Sequence, residues 1–168
     1  LKTTLNLLAD TSVFALYEAA FTFESIRTRV DILCRNNHHG FDLVEVKSST
    51  SLKPEHIADA AIQLYVLEGS GIPVSRVYLM HINNTYVYEG GPHDLEQLFS
   101  LQDITNEALT FVSENTSDHL ARMWEMLQRS EMPTVETGPH CIAPYRCSFY
   151  GNCHQEETGH PIGELPRL

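Results

Sequence analysis

The stretch Arg29 to Ser49, RVDILCRNNHHGFDLVEVKSS, constrains the fold more than any other part of the chain. From Arg27 to Arg35, Arg27, Arg29, Asp31 and Leu33 alternate with Thr28, Val30, Ile32 and Cys34, the period of a β-strand. The same period returns from Phe41 to Ser49. Leu43, Glu45, Lys47 and Ser49 share one face, and Val44 and Val46 take the other. Between them, Asn36-Asn37-His38-His39-Gly40 is turn chemistry, so a hairpin is expected that brings Asp31 beside Glu45 and Lys47.

Two carboxylates and an ammonium on one face have a chemical logic. Asp31 and Glu45, with the carbonyl of Val46, make an oxygen-rich site for a hard divalent cation such as Mg2+ or Mn2+. An ammonium beside that cation can hold a phosphate or a water and stabilise developing negative charge. The bland alternative is a solvated hairpin with an ordinary surface ion pair, of small energetic weight. Against it stands the largely apolar run Leu43-Val44-Glu45-Val46-Lys47, where burying opposite charges is costly without a compensating role.

Downstream, Pro54 to Gly69 reads as a helix: Pro54 suits the first turn, Glu55 favours the N-terminal dipole, and Gly69 or Gly71 can end it. Its residues are apolar almost all round, which predicts tight packing on a sheet, and Gln63 is the polar exception. Upstream, Val13 to Phe23 is a further strand interrupted by Glu18. Val74 to Asn83 and Thr85 to Glu89 read as two more strands around Asn83-Asn84. Thr105 to Arg129 carries apolar residues at helical spacing and predicts two packed helices broken near Asn115.

Four cysteines occur, Cys34 alone and then Cys141, Cys147 and Cys153 in HCIAPYRCSFYGNC. Pro144, Gly151 and Asn152 supply turns that could wrap this segment around one metal centre. Thiolates select zinc or iron–sulfur clusters, and His140 or His154 could complete a zinc site. Cys34 shares its face with Val30 and Ile32, the setting of a buried free thiol. No segment resembles a secretory signal, and a cytoplasmic protein without membrane contact is expected.

Asp31, Glu45 and Lys47 match the pattern of PD-(D/E)XK nucleases, with Val30 in place of the proline, and the chain resembles the RecB-like members of that superfamily. The shared runs are YEAAF, RVDIL, LVEVKSS, AIQLYVL, YLMHIN and the cysteine group, from Glu18 to Cys153. The resemblance implies an α/β fold with a restriction-endonuclease-like core: helix, three-strand meander, helix, strand, then a helical and cysteine-rich extension. It implies a catalytic set of Asp31, Glu45, Lys47 and Gln63, with Glu18 as a further acidic residue of the metal site; otherwise Gln63 is an ordinary helix-surface amide. The tyrosine that relatives carry four positions beyond the glutamine is replaced by Leu67. CRISPR-associated and AddB-type relatives bind a 4Fe-4S cluster through three C-terminal cysteines and one N-terminal cysteine. Here the triplet is present, the N-terminal cysteine is not found before the first strand, and the fourth ligand stays open.

The implied function is metal-dependent hydrolysis of DNA in repair, recombination or defence, within a larger bacterial protein whose other domains would be partners. The alternative is a non-catalytic module of the same fold that binds nucleic acid or serves assembly. The length of 168 residues and 42% hydrophobic content fit one domain over residues 1–153, with 154–168 as a linker or tail. A net charge of -11 runs against the basic footprint usual for a nucleic-acid enzyme, although Arg27, Arg29, Arg35, Lys47 and Lys53 cluster in sequence near the candidate site.

Overall fold

Three consecutive runs of alternating residues become three consecutive strands. In the computed structural model, which describes residues 2–37, 40–143 and 145–153, these are β1 (Ala15–Phe23), β2 (Ile26–Arg35) and β3 (Phe41–Lys47), paired antiparallel as a meander. Helix α1 (Lys2–Ala9) precedes them. Helix α2 (Pro54–Gly69) follows and carries the chain across to β4 (Val74–Ile82), which lies parallel to β3. A parallel pair needs such a crossover, because no tight turn can reverse the chain twice. Strand β5 (Phe99–Asp103) pairs antiparallel with β4 and completes a five-stranded sheet in the order β1-β2-β3-β4-β5. The protein is therefore mixed α/β, and the expected order of helix, three strands, helix and strand is present. His38, His39, Pro144, His154 and the expected tail fall outside the described residues.

Helix α2 buries Ala60, Ala61, Leu64, Val66 and Leu67 against Leu33, Leu43, Val77 and Leu79 of the sheet. Each fully buried leucine contributes about 1.5–3 kcal/mol relative to exposure. Of the two candidate stops, Gly71 ends the helix. It adopts φ 80°, while its N–H donates to the Glu68 carbonyl and that of Ile72 to Leu67, a closure that requires a left-handed residue. Gly69 has another task. A β-carbon there would strike the Phe23 ring, so the glycine lets the end of α2 sit against the β1–β2 hairpin.

Strict alternation fails between β1 and β2. Leu16 faces Leu33 and Ala19 faces Val30, and all four are buried, although each strand contributes residues three apart. Glu18, between them on β1, has a left-handed φ of 54°. The expected opposition of Val30 and Leu33 is thereby lost, since both enter the core.

The expected strand Thr85 to Glu89 does not form. Asn83 Oδ1 accepts from the Thr85 N–H at 3.1 Å and from its hydroxyl at 2.7 Å, a local turn that competes with a continued ladder. The Tyr88 hydroxyl donates to Gly91 O at 2.7 Å and its ring lies against His93. The place beside β4 goes to β5, which follows the short helix α3 (Leu95–Leu98), N-capped by Asp94.

Thr105 to Arg129 gives α4 (Thr105–Phe111) and α5 (Ser117–Leu127), the two expected helices. No gap separates them at Asn115. A π-helical segment, Val112–Thr116, joins them and buries Thr116 completely.

The chain divides between Arg122 and Met123 into two compact units. The first holds the sheet. The second holds a 3-10 turn (Pro139–Cys141) and α6 (Tyr150–Cys153), and thus all three clustered cysteines.

Candidate active site

The site grows from the place where β2 and β3 part. Their ladder runs from Arg35 opposite Phe41 to Ile32 opposite Val44, and the next positions in that register are Asp31 and Glu45. Here the Val46 N–H takes the Asp31 side chain as its acceptor, at 2.8 Å to Oδ2. Two positions further on the same strand, Lys47 folds back so that Nζ donates to Glu45 Oε1 at 2.6 Å.

Helix α2 supplies the other half. Gln63 Nε2 donates to Glu45 Oε2 at 2.6 Å, and both residues are 5% exposed. Asp59, one turn earlier, also pairs with Lys47 Nζ. The Gln63 Oε1 atom is buried and has no hydrogen-bond partner among the described residues. At the head of the same helix His56 is buried, and its Nδ1 accepts from the Lys53 N–H at 3.2 Å. A backbone N–H can only donate, so Nδ1 is unprotonated and any proton of the ring sits on Nε2.

The charges are unbalanced. Two carboxylates, Glu45 and Asp59, pair with the Lys47 ammonium, and a third, Asp31, bonds to the backbone N–H of Val46 between them in the chain. Burial pushes Glu45 above the usual carboxylate range, against the pull of its bonds from Lys47 and Gln63. Burial draws the Lys47 ammonium downward, but its bonds to Asp59 and Glu45 outweigh that and hold it above its ordinary value. Burial, together with the Lys47 charge, keeps the His56 ring below its ordinary value.

The sequence expectations meet this geometry unevenly. Glu45, Lys47 and Gln63 form one hydrogen-bonded network, and Asp31 bonds to the N–H of Val46, which lies between Glu45 and Lys47 in the chain. Glu18 does not join it: at its left-handed position the carboxylate pairs with Arg29 at 3.2 Å, both side chains largely exposed. Arg35 is spent on structure, with its guanidinium donating to the carbonyls of Leu8 and Val13 and lying over the Phe41 ring. Asp59 was missed, and its signal was the four-residue spacing to Gln63 that puts both on one helix face.

The chemistry of the donors suits a hard cation: two carboxylates at the parting of the strands and a buried amide oxygen without a hydrogen-bond partner among the described residues. The cysteines are otherwise. Cys141 is buried with Sγ accepting from the Gly138 N–H at 3.4 Å, while Cys147 and Cys153 are exposed. Among the described residues no three His, Cys, Asp or Glu side chains are grouped to hold a metal ion, and His154 lies outside them. Cys34 is a half-buried free thiol, pushed up by burial and by the Asp42 carboxylate. Among the described residues, no helix is long and apolar enough to cross a membrane.

No protein-family model matches the chain, and no curated protein matches it. Among solved structures it is similar to the crystal structure of SSO0001, at 20% identity and a TM-score of 0.38. That likeness covers 77% of this chain and 61% of the other, so the chain spans about three fifths of the length of that protein.

Proposed function

We propose that the protein is a metal-dependent nuclease acting on DNA. The observation that carries this reading is that Glu45 is held between Lys47 and Gln63 while Asp31 meets the N–H of the adjoining Val46. A buried carboxylate–ammonium pair is a poor device for stability, since apolar residues of similar size would serve as well or better. Its presence at the parted end of two strands, beside an amide oxygen without a hydrogen-bond partner among the described residues, argues for chemistry.

Asp31, Glu45 and the Val46 carbonyl would hold Mg2+ or Mn2+, which when bound would polarise a phosphodiester and acidify a water. Lys47 presents a positive charge where negative charge develops on the phosphate. Gln63 fixes the Glu45 carboxylate from the helix side through its 2.6 Å bond, so that this group need not reorganise during reaction. The charge of -11 makes phosphate contacts from other domains of the same polypeptide part of the proposal.

The test is Mn2+-dependent cleavage of single- and double-stranded DNA. Glu45→Ala and Lys47→Ala should each abolish it while circular dichroism shows the fold retained; undiminished cleavage in both would overturn the assignment.

A further inference from the structure

We infer that Asp59 is a positioning residue for Lys47: together with Glu45 it takes two of the ammonium's three N–H donors and leaves one for the attacking water or a phosphate oxygen. This rests on the nuclease reading of the same site.

An ammonium carries three donors and no acceptor, and its long stem leaves it free to point in many directions. Here Nζ is gripped from two elements. Glu45 Oε1 reaches it from β3 at 2.6 Å, and Asp59 Oδ2 reaches it from α2. Two acceptors from different directions fix the orientation of the third N–H, which remains reachable because the Lys47 side chain is 24% exposed. Asp59 and Gln63 lie one turn apart, so the same helix face holds both ends of the Glu45–Lys47 pair, the ammonium through Asp59 and the carboxylate through Gln63.

Two other roles for Asp59 fit less well. As a surface ion pair it would contribute little, because half of its side chain is in solvent. As a bystander it would only repel a phosphate, and its removal would tighten substrate binding without slowing the chemical step. Positioning gives the opposite sign, a slower step with binding unimpaired.

The experiment uses the full chain with Asp59→Ala and Asp59→Asn under single-turnover conditions with Mn2+. Asp59→Ala should lower the rate constant about a hundredfold without raising KM, as expected when a reacting group loses its alignment. Asp59→Asn, which keeps an oxygen acceptor, should recover most of the rate. A second readout needs no cleavage: the proton–nitrogen NMR signal of the Lys47 ammonium, which survives solvent exchange while acceptors hold its protons, should be visible in the parent protein and Asp59→Asn and lost in Asp59→Ala. A signal unchanged in Asp59→Ala would overturn the grip itself. A signal lost with the rate unchanged, or an Asn variant no faster than Ala, would overturn positioning. Absence of cleavage in the parent protein would remove the nuclease reading and the positioning role with it, while the NMR result would still decide whether the grip exists.

Discussion

The two units of this chain treat the same kinds of residue in opposite ways. In the first, Leu33, Leu43, Leu67, Leu79 and Ile104 have no exposed surface at all. In the second, Met132, Val135, Ile142, Tyr145 and Phe149 are all exposed, and among its described residues only Cys141 is buried. The first is held by packing between a helix and a sheet. The second is held by short-range bonds, such as the Cys147 N–H to the Cys141 carbonyl at 2.8 Å and the Ala143 N–H to Pro139 at 3.0 Å. Periodic apolar sequence thus yields a core, whereas prolines, glycines and spaced cysteines yield local turns.

The sharpest break of that contrast is a pair of truncations. Leu64→Ala should lose about 2–5 kcal/mol in urea unfolding, because the neighbours of a 1%-exposed side chain cannot close the cavity. A loss well below that range would mean the first unit is not packed as described. A smaller effect separates the polar end of the same core from its apolar body. Burial holds the Glu45 carboxyl above its unfolded value, so its contribution to stability is full in acid, below the unfolded value, and is lost as pH rises through the folded one. Glu45→Gln should therefore gain on the parent protein between acid and neutral pH; a difference that does not change with pH would refute the buried setting. The smallest effect belongs to the second unit, where Ile142→Ala, at a position 48% exposed, should change stability by no more than about 0.5 kcal/mol.

Legibility followed the same division. The meander and α2 were readable because alternation and helical spacing are direct images of burial, and Glu45 and Lys47 could be placed together because they lie two apart on one strand. Thr85 to Glu89 deceived because its β-forming residues say nothing of Asn83, whose side chain turns the chain first. The phase change at Glu18 was equally hidden, since a left-handed glutamate leaves no compositional mark. Asp59 lay in plain view, but only the fold shows that its turn of α2 passes over Lys47. For the cysteines, spacing places three thiols in one short segment, whereas only the fold shows that Cys141 is buried and Cys147 and Cys153 are exposed.

The π-helical segment between α4 and α5 has a consequence for angular phase. A π turn holds one residue more than an α turn, and each α-helical residue advances the side-chain direction by about 100°. Beyond Thr116, Leu120 therefore points about a quarter turn away from where the periodicity of α4 would have carried it. Removing one residue from Val112–Thr116 would leave an unbroken α-helix in which Ser117 to Arg122 face as they do now, whereas all five residues wound as α-helix would turn them by that quarter. In this stretch the count of residues, as much as their identity, determines which surface the helix offers.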